Sequence, residues 1–180
     1  MAQTRSLLSR GRYGIPSQTH VLYKVPLSAG QSNQYPLLNY IRSMLRIRLV
    51  TIGDIDTVLA LQAGAYHAIT PESGAAFVAK LAASPGTAWL AEEDGSVCGY
   101  LFALPWRTDV PPPVLDAREI VLPEAPDCLY LHDLAVLGRM RGRGVGGLLV
   151  RHALALAAAR GFARATLVAI QDSGRFWARH

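Results

Sequence analysis

The sequence predicts an α/β fold in which helices flank a mixed β-sheet, and two local patterns carry this prediction. Residues 87–93 and 97–106 are strand-like, and the Asp94–Gly95 turn between them predicts an antiparallel hairpin. Residues 130–136 and 164–170 are two further apolar runs with a helix between them. Because a helical crossover joins parallel strands, this second pair is predicted to run parallel.

Length and charge indicate one globular domain. The chain has 180 residues and 51% hydrophobic content, which is enough for one core. Up to Gly53 there are seven basic residues and no acidic one, whereas the remainder carries 11 basic and 13 acidic residues. Since this remainder is nearly neutral, we expect no nucleic-acid partner. No run approaches the roughly 20 apolar residues of a membrane span, so we also expect no membrane partner.

The cysteines indicate the compartment. Cys98 and Cys128 lack metal-ligand spacing and are too few for a secreted disulfide scaffold. We therefore expect a cytoplasmic protein without a metal. The high content of Ala, Gly and Arg is typical of a GC-rich bacterial gene.

Residues 1–43 are predicted to be disordered, because they show no clear hydrophobic period and are rich in Arg, Ser, Gln, Asn, Pro and Gly. Arginine and serine without acids also resemble a transit peptide, although no amphipathic helix accompanies them. Met44 stands directly before the first predicted strand. An alternative is therefore that Met44 is the natural start and that residues 1–43 are a mis-annotated extension. The folded domain then covers residues 44–180.

The first strand and helix follow from alternation and capping. Residues 46–50 alternate as a strand, and Thr51 with Asp54 has the spacing of a capping box. The next helix carries its apolar side chains on one side: Ile55, Val58, Leu59 and Tyr66.

A second helix is predicted to begin at Thr70, with Pro71 at its first position and Glu72 in its first turn. The sequence Ser-Pro-Gly at residues 84–86 ends it. The five prolines of residues 107–127 predict a long irregular connection. Such a connection is either functional or a surface excursion.

The stretch most informative about function is the arginine- and glycine-rich loop after the strand at 130–136. The apolar positions that follow it share one helical face, so a helix begins inside the glycine run and ends at Gly161. A helix start offers unpaired amides and the positive end of the helix dipole. Glycines let a phosphate approach those amides, and Arg139, Arg141 and Arg143 add positive charge. The pattern favours a pyrophosphate ligand over a turn with solvated arginines.

Two motifs fit this loop. Gly142, Gly144 and Gly147 spell the dinucleotide fingerprint GxGxxG. However, five residues separate Val136 from Gly142, and no acidic residue follows at about twenty positions. NAD or a related ligand is therefore the weaker alternative.

The other motif, (Arg/Gln)-x-x-Gly-x-(Gly/Ala), is matched by Arg141, Gly144 and Gly146. It resembles the acetyl-CoA-binding motif of the GNAT superfamily of N-acetyltransferases. A frame beginning at Arg139 also matches, but it starts the helix too early. The predicted order of strands and helices over residues 44–180 is also the order of that superfamily.

This resemblance implies a mostly antiparallel central sheet with a parallel, splayed pair, acetyl-CoA in the gap, and a primary amine of unknown identity as acceptor. Tyr66, His67 and the connection at 107–127 would border the acceptor site. The last two strands of such a fold are missing after His180, so an exposed edge, a fragment or a homodimer is expected. The residues implied to bind acetyl-CoA are Leu134 and Val136, through their backbones, and Arg139, Arg141, Gly142, Arg143, Gly144, Val145 and Gly146.

For catalysis, the resemblance points to His132 and Asp133. Since adjacent strand residues face opposite ways, at most one of them is expected to point at the substrate. Asp133, acting through a water, is the favoured base; otherwise it orients the loop, and His132 is a core or surface histidine. Many family members use a tyrosine on the last helix as general acid, where this chain has Phe176 and Trp177. That departure leaves a non-catalytic acetyl-CoA-binding or interaction module as the alternative function.

Overall fold

One mixed sheet organises the part of the chain that a computed structural model describes: residues 21–26 by their backbone alone, and residues 45–66, 70–170 and 173–180. Its strands are β1 (Val21–Pro26), β2 (Leu45–Leu49), β3 (Ala88–Glu93), β4 (Ser96–Trp106), β5 (Cys128–Val136) and β6 (Arg164–Ala169). The helices are α1 (Ile55–Ala65), α2 (Gly74–Ala83), α3 (Val145–Ala159) and the short α4 (Gly174–Trp177). None of these helices is long and apolar enough to cross a membrane.

The strand order across the sheet is β1-β6-β5-β4-β3-β2. Neighbours from β2 to β5 pair antiparallel, and β5 pairs parallel with β6. The parallel pairing runs only from Leu129, opposite Ala165, to Leu131, opposite Leu167. Because β5 continues to Val136, a gap opens beyond Leu131. The predicted fold class, with its hairpin and splayed parallel pair, is therefore confirmed.

The strand β1 corrects two expectations. It lies within the segment for which disorder was predicted, and it pairs antiparallel with β6 from Val21, opposite Ala169, to Pro26, opposite Arg164. The edge of β6 is thus covered, which removes the reason for expecting an exposed apolar edge there. Strand formation depends on the partner more than on local pattern, so a six-residue strand gave no signal in the sequence. The rest of residues 1–43, and Met44, lie outside the described residues.

The two helices before β3 differ in how well the sequence predicted them. The predicted pairing of Thr51 with Asp54 is present, because the Asp54 carboxylate accepts bonds of 2.8 Å from the Thr51 N–H and 2.7 Å from its hydroxyl. The expected start of the second helix at Thr70 is wrong. The helix begins at Gly74, and Ser73 is its N-cap. Glu72 stands just before the helix, where its buried carboxylate bonds Lys80 of α2, His132 of β5 and the Asp116 N–H.

The core lies on both faces of the sheet. On one face α3 packs against β4, β5 and β6, through buried side chains that include Leu101, Leu129, Leu149 and Leu167. On the other face α1 and α2 pack against β3 and β4, through Val58, Phe77, Leu90 and Phe102. The sheet is therefore a middle layer, and the gap beyond Leu131 opens at the edge of both helical layers.

Gly99 on β4 lies close to β5 and to the start of α3, with no room for a larger side chain. We expect Gly99→Ala to lower the free energy of unfolding by about 1–3 kcal/mol. A Cβ there would lie 3.0 Å from the Ala135 oxygen and 3.2 Å from a Val145 methyl group. Urea unfolding measures the change.

The matched control is Gly64→Ala in α1, where an added Cβ meets nothing within 4 Å. Removing a helical glycine should stabilise by about 0.4–1 kcal/mol. Equal effects of the two substitutions would contradict the packing described for Gly99.

Candidate active site

A cleft of about 610 Å³ lies where β5 parts from β6. Its walls are β5, the loop that follows it, the start of α3, the end of β6 and residues 173–180. Ligand pockets commonly have this size. The wall contains nearly all of the residues predicted to bind acetyl-CoA or to act in catalysis: His132, Asp133, Leu134, Val136, Arg141, Gly142, Gly144, Val145 and Gly146.

The backbone of β5 faces the cleft at alternate residues. The Leu137 N–H donates to the Cys98 oxygen of β4 at 3.0 Å, which fixes the phase of the antiparallel ladder. In that phase the backbone N–H and C=O groups of Leu134 and Val136 point away from β4. These two residues stand opposite Leu101 and Gly99. Since β6 has left the ladder at Leu131, the backbone groups of both residues face the gap, where the Leu134 oxygen accepts only a long bond of 3.4 Å from the Tyr66 hydroxyl.

The start of α3 presents backbone N–H groups at the other end of the cleft. The helical ladder begins with the Leu148 N–H, which donates to the Gly144 oxygen at 2.9 Å. The amides of Val145, Gly146 and Gly147 precede it and have no helical carbonyl to bond. Gly142 and Gly144 adopt φ values of 78° and 86°, which glycine tolerates best. Together with the helix dipole, these amides suit an anion.

The three arginines of the loop are placed differently from one another. Arg141 lies in the cleft wall, whereas Arg139 and Arg143 do not. The Arg143 guanidinium donates to both carboxylate oxygens of Glu93 on β3, at 2.9 and 3.2 Å. Its charge is therefore neutralised outside the cleft. Two arginines that the motif did not suggest, Arg151 and Arg179, line the cleft instead.

The short helix α4 lies against the start of α3. A Cβ on Gly146 would lie 3.2 Å from the Phe176 ring, and one on Gly147 would lie 3.3 Å from the His180 ring. A larger residue at either position would therefore push these rings back by a few tenths of an ångström. The position at which the resemblance predicts a tyrosine holds Phe176 and Trp177, and neither side chain has a titratable hydroxyl.

A β-bulge overturns the expectation that His132 and Asp133 face opposite ways. Phe102 of β4 stands opposite Asp133, and the next residue, Ala103, stands opposite Leu131. His132 is therefore an extra residue on β5, and such a bulge shifts the alternation of side chains by one. Both His132 and Asp133 reach the layer of α1 and α2, whereas Leu131 packs toward α3.

Asp133 is held by two tyrosines. One carboxylate oxygen accepts a hydrogen bond from the Tyr66 hydroxyl, and the other accepts one of 2.7 Å from the Tyr100 hydroxyl. Burial raises the pKa of Asp133, and the two tyrosine bonds offset only part of that effect. Burial and the adjacent Asp133 carboxylate also raise the pKa of both tyrosines, so their hydroxyls stay protonated and donate.

Behind Asp133, the side chains of Glu72, Lys80 and His132 form a buried cluster, here called the Glu72 cluster. Glu72 lies 2.8 Å from the Lys80 Nζ and 3.1 Å from the His132 Nε2. Burial alone would raise the pKa of Glu72, but hydrogen bonds and charge from His132 and Lys80 lower it to about 2. The sequence predicts Glu72 in the first turn of a helix and does not predict the Glu72 cluster. A signal was present, since Lys80 follows Ala76 and Phe77 on the apolar face of α2.

The irregular connection at 107–127 is confirmed, and it is attached next to the Glu72 cluster. The Asp116 N–H donates to Glu72 at 2.9 Å, and the Asp116 carboxylate accepts from the N–H and hydroxyl of Ser73 at 2.8 and 2.5 Å. Asp116 adopts a φ of 59°, which is uncommon outside glycine. Tyr66 lines the cleft, while His67 lies outside the described residues.

Comparison with known proteins identifies the family. The model of the acetyltransferase (GNAT) family matches residues 56–180. Ard1 from Thermoplasma volcanium is similar in structure, with a TM-score of 0.59, 18% identity, and 76% of this chain and 80% of that chain covered. A GNAT family acetyltransferase from Brucella melitensis, crystallised with acetyl-CoA, gives a TM-score of 0.52 and 21% identity, with 73% and 80% covered.

A third similar structure is the GNAT-like decarboxylase GphF in complex with isobutyryl-CoA. It has a TM-score of 0.57 and 23% identity, with 74% of this chain and 71% of that chain covered. No curated protein matches the chain. At these identities the structural likeness supports the fold, and the family model carries the assignment to a family.

The Glu72 cluster generates a prediction about acid stability. The pKa of the Glu72 carboxyl in the folded chain, about 2, lies below its ordinary value of 4.5. The unfolded chain therefore binds this proton more tightly than the folded chain does. The stabilisation is therefore complete above pH 4.5 and is lost as the pH falls through about 2. The loss should be about 3 kcal/mol.

Urea unfolding between pH 2 and 6 of the wild type and of Glu72→Gln tests this. Other acids titrate in both proteins, so the difference between the two curves isolates Glu72. Parallel curves would contradict the ion pairing described for the Glu72 cluster.

Proposed function

The chain belongs to the GNAT family of acetyltransferases, and on that premise we propose that it transfers the acetyl group of acetyl-CoA to a primary amine. One observation carries the proposal. The gap between β5 and β6 runs directly into the amides at the start of α3, and the half-buried Asp133 and its neighbour His132 stand in the same cleft wall. Strand-like contacts, an anion site and acid–base groups are the three elements that this transfer requires.

Acetyl-CoA would lie along the cleft. We assign its pyrophosphate to the amides of Val145 and Gly146, with Arg141 adding charge and Gly142 and Gly144 leaving room. The backbones of Leu134 and Val136 would bond the pantetheine arm as a missing strand would. Two similar structures contain acetyl-CoA and isobutyryl-CoA, which supports an acyl-CoA as the ligand class.

Arg139 and Arg143, which lie outside the cleft wall, have a different proposed role. Arg143 bonds Glu93, so it would fix the loop to β3 and leave the phosphate contact to Arg141. Arg139 is exposed and would contribute through long-range charge alone. This replaces the predicted direct contact of all three loop arginines with the pyrophosphate.

Acetyl transfer requires that the amine lose a proton, that a donor stabilise the oxyanion, and that the thiolate receive a proton. An N–H of β5 at the gap would serve the oxyanion. We assign the acid–base steps to His132 and Asp133, since the bulge brings both to one face of the cleft wall. One group accepts the amine proton, and the other stabilises the charge that forms.

The second candidate is a non-catalytic acetyl-CoA-binding module. It is favoured by Phe176 and Trp177, which supply no hydroxyl where many family members use one. Mass-spectrometric detection of an acetylated amine separates the two functions. Release of CoA alone does not, because a GNAT-like decarboxylase with this fold also takes an acyl-CoA.

The proposed pyrophosphate site predicts that Gly144→Glu abolishes acetyl-CoA binding. A glutamate at the N-cap of α3 would place negative charge at the amides and fill the approach to them. Isothermal titration calorimetry with acetyl-CoA measures the loss, and NAD serves as the control ligand.

The matched control is Gly161→Glu at the other end of α3. Both glycines have positive φ, and an added Cβ meets nothing within 4 Å at either. The two substitutions therefore carry similar backbone strain, and only their distance from the cleft differs. Equal affinities of folded Gly144→Glu and Gly161→Glu proteins would refute the assigned site.

The proposed acid–base pair predicts that Asp133→Asn lowers kcat for amine acetylation by about 10²–10⁴, the range expected for a lost acid–base group. The affinity for acetyl-CoA should stay unchanged, because both carboxylate oxygens of Asp133 accept bonds from tyrosine hydroxyls and its side chain is not among the groups assigned to acetyl-CoA. Steady-state kinetics with an alanine-initiated peptide, a lysine peptide and spermidine as acceptors measures both quantities.

Asp56→Asn is the control, since Asp56 is exposed on α1. It should retain wild-type kcat. A wild-type kcat for Asp133→Asn as well would remove Asp133 from the reaction.

A further inference from the structure

The gap between β5 and β6 has one closed end. The two strands pair as far as Leu131 and Leu167, and they part from there toward the loop that leads to α3. The pyrophosphate is assigned to the start of α3 and the pantetheine arm to Val136 and Leu134, in that order along the gap. The thioester therefore comes to lie nearest the closed end, and the acyl group has to fit where the two strands meet.

Val168 forms the β6 side of this closed end. It is the first residue of β6 beyond the last pair with β5, and it lines the cleft. Leu167 packs with the core on the α3 side of the sheet, so Val168, as the next residue of the strand, faces the layer of α1 and α2. There it packs against a small group of buried side chains, which are Leu104, Trp106, Cys128 and Tyr130. The wall at Val168 is therefore supported from behind.

Tyr66 forms the β5 side. It directly follows α1 and lines the cleft. Its hydroxyl donates to the Asp133 carboxylate and lies 3.4 Å from the Leu134 oxygen, on the strand edge that faces the gap. Leu134 is the assigned pantetheine contact nearer the closed end. The Tyr66 side chain therefore stands where an acyl chain longer than acetyl would have to extend.

Several contacts hold Tyr66 in place. Its N–H donates to the Gln62 oxygen at 3.0 Å, and its ring packs against the core between α1, α2 and the sheet. The Gln62 side chain in turn bonds the N–H and the oxygen of Glu72, at 2.9 Å each, which fixes the end of α1. Moving the Tyr66 hydroxyl aside would also leave one oxygen of Asp133 without its bond, and losing such a bond costs free energy.

The fold by itself does not limit the acyl group to two carbons. The similar structure of the GNAT-like decarboxylase GphF contains isobutyryl-CoA, which carries a branched acyl group of four carbons. Any limit on acyl length in this chain must therefore come from the side chains at the closed end of its own gap.

We propose that Tyr66 is the residue that determines which acyl group is accepted, and that with Val168 it limits the acyl group to acetyl. This inference rests on the proposed function, because the assigned course of acetyl-CoA places the acyl group at the closed end. The selection is steric, and it is rigid because an intruding methylene would have to displace a hydroxyl that is bonded to Asp133.

The test compares kcat/KM for acetyl-, propionyl-, isobutyryl- and butyryl-CoA, with the three acceptors named above. Tyr66→Ala opens the β5 side of the closed end, and Val168→Ala opens the β6 side. Tyr100→Phe is the matched control, because Tyr100 also donates its hydroxyl to Asp133 but is fully buried and does not line the cleft. The ratio between two acyl-CoAs is read within one protein, so a general loss of rate cancels.

We expect the wild type to prefer acetyl-CoA over butyryl-CoA by at least about tenfold in kcat/KM. Tyr66→Ala should raise the ratio of butyryl to acetyl transfer by about 10–200-fold, the range for a change in pocket size. Val168→Ala should shift the ratio in the same direction, and Tyr100→Phe should leave it unchanged. Tyr66→Phe keeps the ring and loses the hydroxyl, so its ratio should lie between those of the wild type and Tyr66→Ala.

A wild type that uses butyryl-CoA as well as acetyl-CoA would overturn the proposal, and that result needs no variant to fold. The role of Tyr66 would also be refuted by a folded Tyr66→Ala protein with the wild-type ratio, or by an equal shift in Tyr100→Phe.

Binding separates this inference from the proposed function. If the wild type acylates none of the acceptors, the proposed transfer fails, and isothermal titration calorimetry with the same acyl-CoAs decides the role of Tyr66. Tighter binding of acetyl-CoA than of butyryl-CoA, with the preference lost in Tyr66→Ala, would support the limit on acyl length. Equal affinities of the wild type for the two would overturn it.

Discussion

The departure of β5 from β6 beyond Leu131 is the constraint on which the rest of the site depends. The two strands share three residue pairs, and β5 then continues alone along β4. An unpaired strand edge inside a domain leaves backbone groups that need a partner. Here the edge faces a cleft, and the helix that crosses from β5 to β6 brings its first amides to the same place. A strand edge and a helix start thus form one continuous polar surface.

The bulge at His132 is the second consequence of that geometry. It falls directly where the pairing with β6 ends, and it brings two consecutive ionisable residues to one face of the sheet. Each is then controlled by a different set of buried groups. Two tyrosines fix Asp133, while Glu72 fixes His132 and connects it to α2 and to the 107–127 connection. Separate environments give neighbouring groups separate roles in acid–base chemistry.

Local signals in the sequence predict most of the scaffold and part of the site. Asp94 and Gly95 give the hairpin, Gly161 with a φ of 78° ends α3, and the glycine run begins that helix. These are properties of single residues and their neighbours. The cleft residues Arg141, Gly144 and Gly146 follow from the same local motif.

The features that the sequence does not predict share one cause, which is that each depends on a partner far away in the chain. β1 forms because β6 offers an edge, and Arg143 turns to Glu93, fifty residues away. The bulge depends on the register with β4, which no pattern within β5 reveals. Glu72 lies outside its predicted helix, where its carboxylate bonds Lys80 and His132. Long-range pairing of charges and strands is therefore the part of this site that needed a structure.

The deciding measurement is a crystal structure of the full chain with CoA, which gives the distances from the pyrophosphate oxygens to the amide nitrogens of Val145 and Gly146. We expect hydrogen-bond distances there, with the pantetheine arm along Leu134 and Val136 in the gap between β5 and β6. CoA bound outside this cleft, or a cleft that stays empty at saturating CoA, would contradict it.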